Sequence, residues 1–186
     1  MTKEVRPTSG KVMGALFNIL GNLDGRAFLD LFSGTGRVAR SAVDRGAVPV
    51  VAVEIIPSRA REIRSLLPEE PACLVLSMDV RRALSFLRRK GYRPFPDEPR
   101  GFDVIFADPP YGAGWPSILG GILFPQDGGL LNPGGIVVIE HSIREEAPAG
   151  ERYMITDRRE YGETVLTFLS PVMNIGTLCG KRGEEE

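Results

Sequence analysis

Between Ala27 and Glu140 the chain keeps repeating one pattern: a short, continuously apolar run, then a segment whose apolar residues recur at helical spacing. The apolar runs are Ala27–Phe32, Val50–Ile55, Ala72–Ser77, Phe102–Ala107 and Gly135–Glu140. They have strand length and no polar alternation, which means burial on both faces. The segments between them predict helices at Arg37–Arg45, from Pro57 onward, at Val80–Lys90 and around Ile118–Leu123. Val38, Ala39, Ala42 and Val43 turn inward on the first, and Val80, Ala83, Leu84 and Leu87 on the third. Proline suits the first turn of a helix, where its missing N–H has no partner to lose. Such alternation predicts an α/β fold, a doubly wound and mostly parallel sheet covered by helices on both faces. Near the end, Arg152–Arg159 and Thr164–Leu169 flank Glu160-Tyr161-Gly162-Glu163 with no helical segment between them. They predict an antiparallel hairpin that brings the sheet to seven strands.

Ahead of the alternation, Val12, Met13, Leu16, Phe17 and Leu20 form one apolar face, which predicts an amphipathic helix at residues 9–21, expected to cap the functional site. Residues 1–173 are expected to form one domain, and 174–186, ending in a run of glutamates, a mobile tail. No apolar run reaches membrane-spanning length. Cys73 and Cys179 make neither a metal spacing nor a disulfide framework, which points to a reducing, cytoplasmic setting. A single histidine leaves little for a zinc site or a histidine-based triad, so no metal is expected. With a net charge of -1 and a pI near 6.0, any nucleic-acid contact must use a local basic patch.

The ends of the apolar runs carry the chemistry. After the first run, Asp30-Leu31-Phe32-Ser33-Gly34-Thr35-Gly36 turns from strand to helix and, with Arg37-Val38-Ala39, satisfies the dinucleotide pattern G-x-G-x-x-A. A pyrophosphate on that turn would face Asp30 with like charge, a repulsion of roughly 3 kcal/mol at about 5 Å and an effective dielectric near 20. S-adenosylmethionine brings an ammonium and a sulfonium instead, and for it Asp30 is an asset. Glu54, with Ile55 beside it, ends the second run where a carboxylate can take both ribose hydroxyls. Asp79 and Val80 follow the third run, where Asp79 can accept an adenine amino group and also cap the next helix. Open α/β sheets bind ligands along this one rim.

The fourth run ends in Asp108-Pro109-Pro110-Tyr111. Two prolines fix φ and remove two backbone donors, so the loop offers acceptors without competing N–H groups. A carboxylate, a carbonyl and an aromatic face together suit a planar ring bearing an amino group. An Asp-Pro turn closing a strand is the plainer alternative.

In this order the motifs resemble class I S-adenosylmethionine-dependent methyltransferases, and more narrowly the bacterial small-subunit rRNA guanine-N2 methyltransferase family. The likeness runs from Arg6-Pro7-Thr8-Ser9 through Ala15-Leu16-Phe17-Asn18-Ile19-Leu20, the Leu29–Gly36 stretch, Val53-Glu54, Asp79 and the tetrad to Tyr161-Gly162. It implies that Asp30, Phe32, Ser33, Gly34, Thr35, Gly36, Glu54, Ile55, Asp79 and Val80 bind the cofactor. Asp108, Pro109, Pro110 and Tyr111 would hold the target base, with Arg6, Thr8, Lys11 and Arg37 toward the RNA. The family usually opens with a basic β-hairpin, whereas five residues precede Arg6 here. The resemblance implies methyl transfer to guanine N2 in small-subunit rRNA by a monomer. Adenine-N6 methylation of RNA or DNA, which uses the same tetrad, is the alternative.

Three other features are expected to be structural. His141 reads as a solvated or hydrogen-bonded loop histidine, and Trp115 as a loop-packing residue. Arg81, Arg82, Arg88, Arg89, Lys90 and Arg93 form a basic cluster, but its later members sit where a helix C-terminus favours cations.

Overall fold

The computed structural model describes residues 10–90, 101–126 and 129–172. Arg6, Thr8, Arg93 and the tail expected at 174–186 lie outside those residues. In chain order the elements are α1 (Gly10–Leu20), β1 (Phe28–Leu31), α2 (Arg37–Val43), β2 (Val50–Val53), α3 (Pro57–Leu66), β3 (Cys73–Leu76) and α4 (Val80–Lys90). β4 (Phe102–Ala107), α5 (Trp115–Leu123), β5 (Leu131–Ser142), β6 (Tyr153–Tyr161) and β7 (Thr164–Pro171) follow.

The strands form one seven-stranded sheet in the order β3-β2-β1-β4-β5-β7-β6. Pairing is parallel from β3 across to β5 and antiparallel for β5–β7 and β7–β6. The hairpin thus closes the sheet as expected, but its second strand is the one inserted against β5. Burial explains the choice. Val165, Leu166, Thr167, Phe168 and Leu169 of β7 are all buried, whereas β6 exposes most of its length and suits an edge.

The sheet separates two cores. Phe28, Ala52, Val104, Phe106, Val138, Leu166 and Phe168 face α1, α2 and α3, which contribute Val12, Leu16, Phe17, Val38, Ala42, Ala60 and Ile63. Leu29, Val51, Ile105, Val137 and Leu169 face α4 and α5, with Ala83, Leu84, Leu87, Leu119 and Leu123. This two-sided burial is what the uninterrupted apolar runs encode. Strand β5 begins at Leu131, four residues before the expected Gly135, because Asn132-Pro133-Gly134 pass through a register shift rather than a turn.

Helix α5 hangs directly from the rim loop that follows β4. It starts at Trp115, earlier than its apolar spacing suggests, with Pro116 in its first turn. Two adjacent glycines in it have opposite surroundings. A Cβ on Gly120 would fall 2.2 Å from the Tyr153 ring, itself stacked on Phe124 at 4.9 Å, whereas one on Gly121 meets nothing within 4 Å. Gly121→Ala should stabilise the protein by about 0.5–1 kcal/mol through helix propensity. Gly120→Ala should destabilise it by about 1–3 kcal/mol through overpacking. Urea unfolding of both variants is the measurement, and equal effects would show that Tyr153 does not pack as described.

Candidate active site

Register places the strand ends level with one another. Leu31 pairs with Val53 and Ala107, Val53 with Leu76, and Ala107 with Ile139. Asp30, Glu54, Asp79 and Asp108 therefore gather along one rim. Since β2 and β3 lie on one side of β1 and β4 on the other, Asp30 and Asp108 flank the switch point of the sheet.

Asp30 is 1% exposed, and its Oδ2 accepts from the Ala39 N–H at 3.1 Å, which caps the start of α2. Burial in low dielectric, with Asp108 and Glu54 nearby as further negative charges, pushes its pKa up to about 8. Asp30 is thus protonated near neutral pH in the free protein, contrary to the charged group assumed in weighing pyrophosphate. An arriving cation favours its ionisation, so the preference for a cationic ligand stands.

The same shift sets a pH dependence. An unfolded Asp titrates near 3.9, so between about pH 4 and pH 8 the native chain holds a proton at Asp30 that the unfolded chain has released. This contribution to stability falls as pH rises across that window. Asp30→Asn, whose carbonyl can still accept from Ala39, should flatten the fall. Urea midpoints at pH 5, 6.5 and 8 test it, and parallel curves for the two proteins would contradict it.

The turn after β1 is tied down by its own polar groups. Ser33 Oγ donates to the Asp30 carbonyl at 2.9 Å and accepts from the Val53 N–H at 3.1 Å, so this hydroxyl serves the turn itself. Gly34 N–H donates to Glu54 Oε2 and Ile56 N–H to Glu54 Oε1, both at 2.8 Å. Glu54 thus joins the turn to the end of β2 while keeping one further acceptor position on each oxygen. Gly36 combines a φ of 75° with a close approach: a Cβ there would lie 2.9 Å from Ile63 of α3. Thr35 is exposed at the tip, and Ile55 is 61% exposed beside Glu54, an apolar surface at a strand end. Phe32 has a φ of 64° and is alone among the described non-glycine residues on that side of zero. Such a backbone costs about 1–3 kcal/mol.

Asp79 takes the helix-cap role expected of it. Its Oδ1 accepts from the Arg81 N–H at 2.8 Å, as a helix cap does, and the residue remains part exposed at the rim beside Val80. Asp108 is half-buried, Pro109 buried and Pro110 exposed. Two distant segments anchor their loop. The Tyr111 hydroxyl lies 3.3 Å from Thr164 Oγ1, and Gly112 N–H donates to Glu145 Oε1 at 3.1 Å. No spacing in the sequence announces these anchors, which lie 53 and 33 residues away. Glu140, 3% exposed, lies in β5 one position past the Ala107–Ile139 pair and so stands beside Asp108. The sequence reading missed it, although an acid closing an apolar run is the signal that marked Glu54.

Lys11 and Arg37 are exposed, at the starts of α1 and α2. His141 is buried within β5 rather than placed in a loop. Its Nδ1–H donates to the Ser142 carbonyl at 2.9 Å, which leaves Nε2 to accept from the Thr167 hydroxyl at 2.8 Å. Burial holds its pKa below the usual histidine value, so it stays neutral. The basic cluster is partly structural too: Arg88 donates to the Ile122 carbonyl, and Arg81 lies over Trp115.

A 3-2-1-4-5-7-6 sheet with acids at successive strand ends is the Rossmann-like fold of class I methyltransferases. The chain belongs to the family described as conserved hypothetical protein 95, whose model matches residues 1–170. It is similar to a hypothetical protein of Thermus thermophilus, with 30% identity, a TM-score of 0.68, and 88% of this chain and 86% of that one covered. A candidate methyltransferase of Escherichia coli, yhhF, shares 22% identity at a TM-score of 0.69, over 89% of this chain and 86% of that one. SMU.776, a candidate methyltransferase solved in complex with SAH, shares 14% identity at a TM-score of 0.64, over 87% of this chain and 48% of that one. No curated protein matches the chain. Among the described residues, no helix is long and apolar enough to cross a membrane.

Proposed function

We propose that the protein transfers a methyl group from S-adenosylmethionine to the N2 amine of a guanine in small-subunit ribosomal RNA. The observation that carries this reading is the Asp108–Tyr111 loop, held at the switch point next to the acid-lined ends of β1, β2 and β3. The residues fit the cofactor. Buried Asp30 suits its ammonium, Glu54 retains acceptor positions for ribose hydroxyls, and exposed Ile55 with Asp79 and Val80 suits adenine. SMU.776, with the same fold, is described in complex with SAH. When bound, S-adenosylmethionine supplies an electrophilic methyl group.

The chain's own part is electrostatic and positional. The lone pair of an exocyclic amine is delocalised into the base, so the nitrogen is a weak nucleophile. Asp108 and the Pro109 carbonyl accept its N–H bonds, which favours a pyramidal nitrogen and stabilises the positive charge that grows on it. Tyr111, fixed through Thr164, offers its ring to the face of the base. Holding the amine at a set distance and angle supplies much of the remaining rate gain. The methylated amine is acidic enough to lose its proton to Asp108 or water.

Extracting a stacked base costs a few kcal/mol. With a net charge of -1, phosphate contacts are too few to meet that cost on arbitrary RNA. A preformed ribosomal surface is therefore the proposed substrate, with Lys11 and Arg37, and Arg6 and Thr8 ahead of α1, toward the RNA. The test is labelled methyl incorporation into unmodified small subunits and into rRNA stripped of protein, across a salt series, with nucleoside analysis of the product. Expected are N2-methylguanosine, faster transfer to subunits, and a log–log salt slope near -2 to -4 for about two to four neutralised phosphates. N6-methyladenosine as the product would overturn the base assignment, and equal rates on both substrates the ribosomal one.

A further inference from the structure

Trp115 stands where the turn after β1, the start of α4 and the loop after β4 meet. Its ring approaches Phe32 edge-on, with centroids 5.0 Å apart, and the Arg81 guanidinium lies 4.7 Å from its own centre. Both neighbours belong to cofactor-side segments. Phe32 leads into the Ser33–Gly36 turn, and the Arg81 N–H is held by Asp79 at 2.8 Å. On the opposite side, Tyr111 and Gly112 are tied to Thr164 and Glu145. Between Tyr111 and Trp115, Gly112 and Gly114 have φ of 72° and 69°, and a Cβ on either would meet nothing within 4 Å. They are glycines for their backbone conformation rather than for packing, and Trp115 follows directly after them.

We propose that Trp115 is a positioning residue that couples the two halves of the site. Through Phe32 and Arg81 it ties the Asp108–Tyr111 loop to the segments that would hold the cofactor, so that filling one side orders the other. Both ligand identities rest on the methyl-transfer reading. Phe32 keeps a left-handed backbone that a phenylalanine rarely adopts, and Trp115 makes a T-shaped aromatic contact beside it. A ligand seated against the turn and Asp79 would adjoin both segments that Trp115 touches. Coupling of this kind is reciprocal, so the base side must in turn favour the cofactor.

Trp115 is the chain's single tryptophan, so its emission reports on this point directly. Titration with S-adenosylhomocysteine should change that emission with the saturation seen by calorimetry. The same ligand should tighten binding of unmodified small subunits by about 5–150-fold, the usual span of such coupling. Trp115→Phe, which keeps an aromatic edge for Phe32, should retain most of the coupling. Trp115→Ala should bind S-adenosylhomocysteine yet reduce the coupling to less than about twofold. Arg81→Ala, which removes the guanidinium from the Trp115 ring, should do the same, which keeps the test available should Trp115→Ala fail to fold. A purely structural role would lower the melting temperature and leave the coupling factor unchanged. Unchanged emission at calorimetric saturation, or full coupling in folded Trp115→Ala or Arg81→Ala, would overturn the proposal. Failure of the unaltered protein to bind S-adenosylhomocysteine at all would instead sink the methyl-transfer reading beneath it.

Discussion

Asp108→Ala is expected to reduce methyl transfer at least about 100-fold, the usual cost of deleting one preorganised electrostatic group, while keeping much of the affinity for S-adenosylhomocysteine. Asp108 is half-buried just past the end of β4, and the loop that carries it is anchored through Tyr111 and Gly112. Truncation should therefore leave the loop in place and remove the acceptor. Asp108→Asn should fall between the two, since its carbonyl still accepts one hydrogen bond. Single-turnover transfer and calorimetry, run on the same preparations, separate chemistry from binding. Full turnover in Asp108→Ala would reduce the tetrad to a turn.

Glu54→Ala should act on binding instead, weakening S-adenosylhomocysteine by roughly 1.5–3 kcal/mol for hydrogen bonds to a charged group. The structure gives this substitution a second consequence. Both carboxylate oxygens already accept backbone N–H groups, from Gly34 and Ile56, so alanine strips two donors of their partner and loosens the turn. A lower melting temperature should accompany the lost affinity. Glu54→Gln, which keeps an acceptor for one of the two donors, should recover part of each. Calorimetry on folded variants checks it, and an unchanged affinity would place the ribose elsewhere.

Much of this architecture follows from local pattern. The β2 and β3 segments are uninterrupted apolar runs, and β1 and β4 are broken only by Asp30 and Asp103, because a parallel strand covered on both faces has no polar side to show. Pro57 opens α3 at the position its ring permits. The starts of β5 and α5 were hidden by Asn132-Pro133-Gly134 and Gly114-Trp115-Pro116, residues of turn character. In the folded chain they form a register shift and the first turn of a helix.

The sequence by itself determined the alternating α/β plan and the acids Asp30, Glu54, Asp79 and Asp108, since an acid in or just past the last residues of an apolar run lies toward the rim of a sheet. Which strand meets β5, that Asp30 is buried enough to hold a proton, that Glu54 ties down Gly34, that Glu145 and Thr164 hold the tetrad loop, and that Trp115 meets Phe32 were decided only by the tertiary structure. The reason is physical. Strand and helix periods are written in neighbouring residues, whereas burial, the pKa shift it causes and hydrogen bonds between distant loops exist only once the chain has closed on itself.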